Sequence, residues 1–527
     1  MDKSTDISHK ESRVKKTWLN ARANLIFYFI TLGISFFSRK IFLECLGNDF
    51  IGLTGTLNNL LGFLNIAELG IGASIGFQLY KPLYNSDKAS IIEIVSVLGY
   101  LYRWIGIIIL GGGLILGAFL PLIFPDRDTH LHLGIIYFAY FTFLISSLIG
   151  YFINYRQVLL GADQRYYVIT KYYQSANVAK ILIQIALAWY TKNLYLWIAI
   201  EFIFGFIYSL ILNWKINKVY PWLKTNLQSG KDLLKKYPEV MKHTRQIFFH
   251  KIGSFSQFQI TPILIYAFVS LATVAFYQNY TTIMRNVTAF FSNFFSGING
   301  SIGNLIAEGE RTRILNVFWE LMSLNFFITG LICVPSYLLI DRFIIIWLGE
   351  AYVLPNLTLI LILIPVFISG TRGVVDSYLN GHGMFWDTWA PLVETLLLVI
   401  VCVVGGHFYG LNGVLMGPIV SLIAVILIWK PLMLFHWGLK KNVLIYWLTY
   451  IKNSICIAVA MIPAIIVSRY VDLDGCSDFL EWVWCAIPVF SIYALSSYII
   501  FLIFSTGMKS FNSRIAGWIN RFTLKRI

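Results

Sequence analysis

Apolar stretches of about 17 to 25 residues recur along almost the whole chain. As a helix, a stretch of this length crosses about 30 Å of hydrocarbon. Charged residues make up 13% of the 527 residues, whereas soluble domains have roughly 25%. The sequence therefore predicts an all-α polytopic membrane protein and leaves no room for a large soluble domain.

The spacing of the apolar stretches predicts about fourteen transmembrane helices. Their approximate ranges are 18–38, 51–79, 101–124, 132–155, 167–190, 194–213, 247–270, 273–304, 314–340, 354–379, 386–408, 411–430, 450–470 and 482–505. Because the number of spans is even, both termini lie on the same side of the membrane.

Positive charges are concentrated in four places: the stretch KESRVKK near the N-terminus, the loop 215–251, the LKKN loop and the C-terminal tail. The positive-inside rule places these segments, and with them both termini, in the cytosol. The net charge of +15 is spread over short loops and forms no compact basic domain. Nucleic acid is therefore not an expected partner, whereas anionic membrane lipids are.

The longest polar stretch, 213–251, divides the chain into two halves. We predict an N-lobe of six helices over 1–213, a basic cytosolic linker over 214–246 and a C-lobe of six helices over 247–430. Residues 431–527 supply a C-terminal helix pair and a basic tail. Polar positions of helix 2 recur in helix 8 at a spacing of 228 residues: Thr54 with Thr282, Asn58 with Asn286, Asn65 with Asn293 and Gly72 with Gly300. Two parallel repeats of this kind place a transport site in a central cavity between the lobes.

Helix 8 carries Arg285 about 18 Å from the start of an apolar segment, at 1.5 Å per residue. An arginine at this depth costs roughly 3 kcal/mol on insertion scales, and such residues usually face a water-filled path. On a helical wheel Arg285 borders a polar stripe that includes Asn279, Asn286 and Asn293. The stripe predicts that this helix lines a transport cavity.

Other ionisable residues also fall within predicted spans. Arg22 and Glu68 lie either in the cavity or at span ends. Arg372 and Asp376, spaced i to i+4, either face the cavity or neutralise one another on one helix face. In the cavity, Arg372 is a candidate contact to the diphosphate and Asp376 a second ion-coupling candidate. Glu68 follows Asn58 and Asn65 on the helix 2 stripe, so it is a candidate to exchange a proton or hold Na⁺; the alternative is a hydrogen-bonded residue that stabilises the AELGIG turn. The remaining ionisable residues within spans are Lys180, Glu201 and Glu394.

Chemistry-bearing patterns are not found in the sequence. The six cysteines show neither CxxC nor Cys/His spacing, so we expect no metal site. The glycine-rich segments GASIG and GINGSIG are not followed by Lys-Ser or Lys-Thr and lie in apolar sequence, which favours helix packing over phosphate binding. We expect no catalytic residues and no cofactor, and therefore no enzyme.

Three stretches resemble the polysaccharide transporter family, the Wzx-type flippases of O-antigen and capsule assembly, within the multidrug/oligosaccharidyl-lipid/polysaccharide exporter superfamily. They are LGNDFIGLTGTLNNLLGFLNIAELGIGASIGFQLYKPL over 46–83, VAFYQNYTTIMRNVTAFFSNFFSGINGSIGNLIAEGE over 274–310, and YLNGHGMFWDTWAPLVETLLLVIVCVVGGHFYGLNGVLMGPIVS over 378–421. The resemblance covers almost the entire chain.

The resemblance implies a flippase of the bacterial cytoplasmic (inner) membrane. Such a flippase moves an undecaprenyl-diphosphate-linked oligosaccharide to the outer leaflet by alternating access, driven by an H⁺ or Na⁺ gradient, alongside a glycan polymerase and chain-length machinery. Arg285 matches a cavity arginine in helix 8 of the family, and Arg22 is a weaker match. From the residues themselves, arginine's planar fork suits a diphosphate, and asparagines suit sugar hydroxyls.

Two other functions are compatible with the sequence. A cation-coupled exporter of drugs or metabolites from the same superfamily would have a carboxylate-rich pocket. A membrane glycan polymerase would have a large outward loop that carries acidic or arginine-rich residues. The outward loops here are short, and 470–481 is the acidic one among them.

Overall fold

The structure of the protein is a computed structural model, which describes residues 13–68, 70–125, 131–295, 302, 305–306, 308–384 and 386–524. Over these residues the chain forms helices and turns and holds no strand. The predicted all-α polytopic fold is confirmed.

Sixteen long helices organise the described residues. In chain order they are α1 (Arg13–Leu46), α2 (Asn48–Leu64), α3 (Ile71–Asn85), α4 (Lys88–Ala118), α5 (Leu133–Phe152), α6 (Tyr166–Thr191), α7 (Leu194–Val219), α8 (Pro238–Phe268), α9 (Leu271–Phe295), α10 (Arg311–Leu348), α11 (Asn356–Thr371), α12 (Gly373–Gly381), α13 (Ala390–Leu422), α14 (Leu444–Tyr470), α15 (Phe479–Phe504) and α16 (Thr506–Leu524).

The chain forms two compact units, Met1–Ala275 and Phe276–Ile527. In the first unit α1 packs on α6, α4 on α5, and α8 on both α2 and α3. In the second unit α10 is the central helix, against which α11, α14, α15 and α16 pack. The lobe limits 1–213, 214–246, 247–430 and 431–527 remain predictions.

Nine helical segments of the described residues are long and apolar enough to cross a membrane. One of them, Ala390–Gly438, has 49 residues and includes a chain reversal, so it supplies two crossings. The helices α2, α3, α6, α8 and α9 fall outside this set. Several of these helices carry the polar residues that the sequence analysis selected as site candidates. A criterion based on length and hydropathy therefore misses helices that carry candidate site residues.

The predicted continuous helix over 51–79 is wrong, because the chain bends in its middle. α2 ends at Leu64, a 3₁₀ turn spans Asn65–Glu68, and α3 begins at Ile71. Between them Gly70 adopts φ 98°, in the left-handed region that a residue without Cβ enters at little cost. The 3₁₀ turn breaks the α-helical spacing on which the predicted polar stripe depends.

α13 reverses direction at Gly410, which has φ 55° and ψ −130°. The two arms then cross closely, since a Cβ added at Gly405 would lie 2.5 Å from the carbonyl oxygen of Gly413. Residues eight apart in a straight helix are about 12 Å apart along the axis. The predicted helices 386–408 and 411–430 are therefore the two arms of one hairpin.

We expect Gly405→Ala to destabilise the protein by about 1–3 kcal/mol, because the added methyl group forces the arms of the hairpin apart. Gly111→Ala is the control, since a Cβ at Gly111 in α4 meets nothing within 4 Å. The measurement is thermal unfolding of both purified variants in detergent. Equal unfolding temperatures for the two variants would contradict close packing at this crossing.

Aromatic packing fixes α12 against the central helix of the second unit. The ring centroid of Phe318 lies 5.0 Å from that of Tyr378 and 5.5 Å from that of Phe435. The hydroxyl of the fully buried Tyr378 donates to the carbonyl oxygen of Ile314 at 2.9 Å. The aromatic contacts hold the helix that carries Asp376.

Candidate functional site

Glu68 lies in a polar cluster inside the first unit. Tyr102 donates its hydroxyl proton to Glu68 Oε1 at 2.5 Å, and Tyr151 donates to Glu68 Oε2 at 3.2 Å. Tyr151 also lies 3.0 Å from Asn65 Oδ1, which accepts from Ser147 Oγ at 3.3 Å. The cluster thus joins the bend after α2 to α4 and α5.

Local geometry explains why these groups converge. In a 3₁₀ turn, side chains at i and i+3 eclipse one another, so Asn65 and Glu68 point the same way. The rings of Tyr102 and Tyr151 meet edge to face at 5.5 Å and close the other side. Gly72 leaves room for them, since a Cβ there would lie 3.1 Å from the hydroxyl of Tyr102.

The chemistry of the cluster suits a small cation. Two phenols donate to the carboxylate, and no lysine or arginine of the described chain pairs with Glu68. An unneutralised carboxylate beside amide and hydroxyl oxygens offers hard oxygen ligands, or one protonation site, in an apolar segment. The contacts reach α4 and α5, so Glu68 links three helices and does more than stabilise its own turn.

A second pair of ionisable residues in the first unit is already neutralised. Lys180 Nζ lies 2.7 Å from Glu201 Oε1, and the Gln184 amide donates to Glu201 Oε2 at 3.1 Å. Because both charges have a partner, they form a structural contact between α6 and α7.

In the second unit, Arg372 Nε donates to Asp376 Oδ2 at 2.6 Å. The i, i+4 spacing brings the two together, which agrees with the alternative that they neutralise one another. Glu394 on α13 is buried, with 4% of its surface exposed. It lies within range of charge interaction with both Arg372 and Lys430. The ionisable residues Arg372, between α11 and α12, Asp376 on α12 and Glu394 on α13 lie close to one another.

Asp387 forms a further ion pair at the start of α13. Its carboxylate is fully buried and lies 2.6 Å from Lys430 Nζ. The indole of Trp429 donates to the same oxygen, Oδ2, at 3.0 Å. Trp429 also packs against Trp389, with ring centroids 4.7 Å apart. The pair fastens the second arm of the α13 hairpin to the segment before the first arm.

We expect Trp429→Phe to destabilise the protein by about 1.5–3 kcal/mol, the usual contribution of a hydrogen bond to a charged group. The ring volume is largely kept, and the indole donor to Asp387 is lost. Trp389→Phe serves as the matched control because it removes an indole from the same aromatic cluster, where 44% of Trp389 is exposed. Thermal unfolding should rank Trp429→Phe clearly below the control; the reverse order would contradict the contact.

The remaining residues singled out in the sequence lie in varied environments. Arg285 and Arg22 are exposed. Asn58 is exposed and donates to the Thr54 carbonyl oxygen at 2.8 Å, whereas Asn279 is fully buried. Asn286 is half-buried, and the side chain of Asn293 lies outside the described residues. The structure brings together Asn65 with Glu68 and Arg372 with Asp376.

Sequence reasoning missed the partners of these residues. They are Tyr102, Ser147 and Tyr151 around Glu68, and Asp387 with Lys430 in the second unit. The tyrosines are 34 and 83 residues from Glu68 in the sequence. The chain has 30 tyrosines, and their spacing does not show which two contact Glu68. The sequence indicated only that a buried polar group such as Glu68 needs a hydrogen-bond partner. It did not indicate which residue that partner is.

Comparisons with known proteins identify the fold. No protein-family model matches the sequence, and no curated protein matches it significantly. Among solved structures, the lipid II flippase MurJ in an inward closed conformation superimposes with a TM-score of 0.60 at 13% identity, covering 91% of this chain and 98% of MurJ. An inward-facing MATE family multidrug resistance transporter of the MOP superfamily matches with a TM-score of 0.56 at 13% identity, covering 76% and 94%. The chain therefore has the fold of these membrane transporters.

Proposed function

We propose that this protein is a flippase that moves an undecaprenyl-diphosphate-linked oligosaccharide from the cytosolic to the outer leaflet of the bacterial cytoplasmic membrane. The observation that carries the proposal is the match to a lipid II flippase along 91% of this chain and 98% of that one. The flippase acts by alternating access and serves surface polysaccharide assembly. Its expected partners are membrane lipids, a glycan polymerase and chain-length machinery.

Arg285 is the proposed contact to the diphosphate. Its exposed guanidinium presents a planar set of donors that matches phosphate oxygens. Arg22 is also exposed. Arg22 and Arg372 are further proposed contacts to the diphosphate, and Arg372 Nε already donates to Asp376. Asn58, Asn65, Asn279, Asn286 and Asn293 are the proposed contacts to sugar hydroxyls.

Glu68 is the proposed coupling residue, with H⁺ or Na⁺ as the coupling ion. It has phenol and amide neighbours but no basic partner within the described residues. Binding a cation or proton there changes the charge of the cluster between α2, α4 and α5. An ion gradient can then shift the equilibrium between the conformations that bind the ion with different affinity. Asp376 is the second candidate, although its pairing with Arg372 already satisfies one oxygen.

Reconstitution in liposomes tests this function. The protein is reconstituted with fluorescent undecaprenyl-diphosphate-linked oligosaccharide, and the fraction of label accessible to an external quencher is followed after an ion gradient is imposed. We expect gradient-dependent transfer between leaflets. A well-folded, reconstituted protein that leaves the lipid on its starting leaflet under both H⁺ and Na⁺ gradients would refute the proposal.

A cation-coupled exporter of drugs or metabolites is the second candidate, favoured by the match to the MATE family transporter. The two functions differ in what they move. Export of cationic dyes from cells that overproduce the protein, without lipid transfer in liposomes, would select the exporter. Lipid transfer without dye export would select the flippase.

A further inference from the structure

A pocket opens between α1 and α6 in the first unit, apart from Glu68 and its partners. It is an open cleft with a volume of about 280 Å³, close to the lower end of the roughly 300–1,000 Å³ of small-molecule sites. The residues that shape it include Asn24, Tyr28, Tyr166, Thr170, Tyr173 and Gln174.

The pocket follows from regular spacing on two helices that run side by side. Asn24 and Tyr28 are one turn apart on α1, while Tyr166, Thr170 and Tyr173 follow one another at helical spacing on α6. At a helix contact, ridges of side chains pack into grooves of the neighbouring helix, and the side chains at the contact set the distance between the axes. Here large rings and amides stand at the edges and leave space between the helices.

Hydrogen bonding leaves the pocket with donors and acceptors to offer. Thr170 Oγ1 donates to Asn24 Oδ1 at 3.1 Å, which fixes the orientation of the Asn24 side chain. The NH₂ group of Asn24 then makes no hydrogen bond within the described part of the chain and is a donor for a ligand. The Gln174 amide adds a further donor and acceptor.

The aromatic rings supply flat apolar faces. Tyr166 and Tyr173 are each about half exposed, at 53% and 50%. Tyr173 packs edge to face against Tyr208, with ring centroids 5.2 Å apart and an angle of 75° between the ring planes. A ring held in place with one face exposed is a surface on which the C–H face of a pyranose ring can pack, while its hydroxyls reach the amides.

The charge of the pocket narrows the class of ligand. None of the described residues that line it is ionisable to a charged form at neutral pH. A diphosphate would require arginine or lysine, and an acyl chain would leave the amides unpaired in an apolar setting. A neutral, hydroxyl-rich ring satisfies both the amides and the tyrosines.

The position of the pocket fits the loading side of the membrane. Asn24 lies six residues inside the predicted span 18–38, about 9 Å from its cytosolic end at 1.5 Å per residue. Tyr166 lies at the start of α6, after the loop between the predicted spans 132–155 and 167–190, and cytosolic termini with this order of spans place that loop in the cytosol. A sugar that enters the transporter from the cytosolic leaflet would meet the pocket at this depth.

We propose that this pocket is a saccharide-binding subsite that receives a neutral sugar ring of the lipid-linked glycan on the cytosolic side. The proposal rests on the flippase function. It separates recognition of the glycan, by Tyr173 and Asn24, from recognition of the diphosphate by arginine. The subsite gives the transporter a preference for lipids that already carry their sugars over bare undecaprenyl diphosphate.

Binding measurements in nanodiscs test the subsite on the full chain. The probes are undecaprenyl diphosphate, the lipid-linked oligosaccharide extracted from the strain that carries the gene, and the oligosaccharide released from that lipid. The variants are Tyr173→Ala and Asn24→Ala. Tyr190→Ala is the matched control, because Tyr190 lies on the same helix and is 85% exposed away from the pocket.

We expect Tyr173→Ala to weaken binding of the glycan-bearing lipid about tenfold, with Asn24→Ala acting in the same direction. Binding of undecaprenyl diphosphate should be unchanged in both variants, and Tyr190→Ala should match the wild type with every probe. Equal weakening for the lipids with and without sugar, or no weakening for the glycan-bearing lipid, would overturn the subsite.

The liposome transfer assay separates the two proposals. If the wild type binds the glycan-bearing lipid in a Tyr173-dependent way but moves none of it between leaflets under either ion gradient, the flippase function fails and the subsite stands. If binding of every glycan probe is independent of Tyr173, the subsite fails, whatever the fate of the lipid.

Discussion

Glu68→Gln should reduce gradient-driven glycan transfer about 50-fold. One elementary charge moved through 100 mV is worth about 2.3 kcal/mol, and each 1.4 kcal/mol is a factor of ten in an equilibrium. Glutamine keeps the size of the side chain and can still accept from Tyr102, but it neither binds a proton at neutral pH nor offers a negative charge to Na⁺. The loss should therefore fall on the coupling and leave substrate binding intact.

The measurement compares transfer in liposomes with and without the ion gradient. Glu44→Gln is the control, because Glu44 is an exposed carboxylate on α1 that lies outside the cluster. We expect Glu44→Gln to transfer lipid like the wild type and Glu68→Gln to retain slow transfer that ignores the gradient. Wild-type gradient dependence in Glu68→Gln would remove Glu68 from the coupling mechanism.

Arg285→Ala should weaken binding of the lipid diphosphate about 10- to 100-fold, since hydrogen bonds to charged groups are worth about 1.5–3 kcal/mol. Arg285→Lys should recover part of the affinity, because lysine keeps the charge but loses the planar fork. In cells, Arg285→Ala protein should reach the membrane while display of the surface glycan stops. The measurements are lipid binding in nanodiscs and glycan detection on intact cells.

Arg469→Ala is the matched control for Arg285. Arg469 is likewise exposed, and it lies in the last turn of α14, at the end of a span. Its removal should change neither lipid binding nor glycan display. Normal glycan display by a well-expressed Arg285→Ala variant would exclude Arg285 from the substrate site.

Much of the fold could be predicted from hydropathy alone, because a span must satisfy its backbone hydrogen bonds within one helix. The same reasoning identified Glu68 and the pair Arg372 and Asp376, since charged groups in apolar segments are expensive and i, i+4 neighbours meet on a helix face. The ion pair appears in the structure at 2.6 Å. Local periodicity was sufficient for both.

What could not be predicted depends on contacts between distant segments. Tyr102 and Tyr151 meet Glu68 across 34 and 83 residues of chain, and a helical wheel of one segment carries no information about them. The bend after α2 was missed because the glycines of AELGIG suit either close helix packing or a left-handed backbone. The positive φ of Gly70 decided between the two.

The 3₁₀ turn Asn65–Glu68 connects the Glu68 cluster to the relative orientation of α2 and α3. A 3₁₀ residue rises about 2.0 Å and rotates 120°, whereas an α-helical residue rises about 1.5 Å and rotates 100°. Conversion of these four residues to α-helix would shorten the segment by about 2 Å and rotate α3 by about 80° relative to α2. Glu68, the residue that we propose as the coupling site, thus lies in a segment where a change from 3₁₀ to α-helical hydrogen bonding would rotate the neighbouring helix by a large angle.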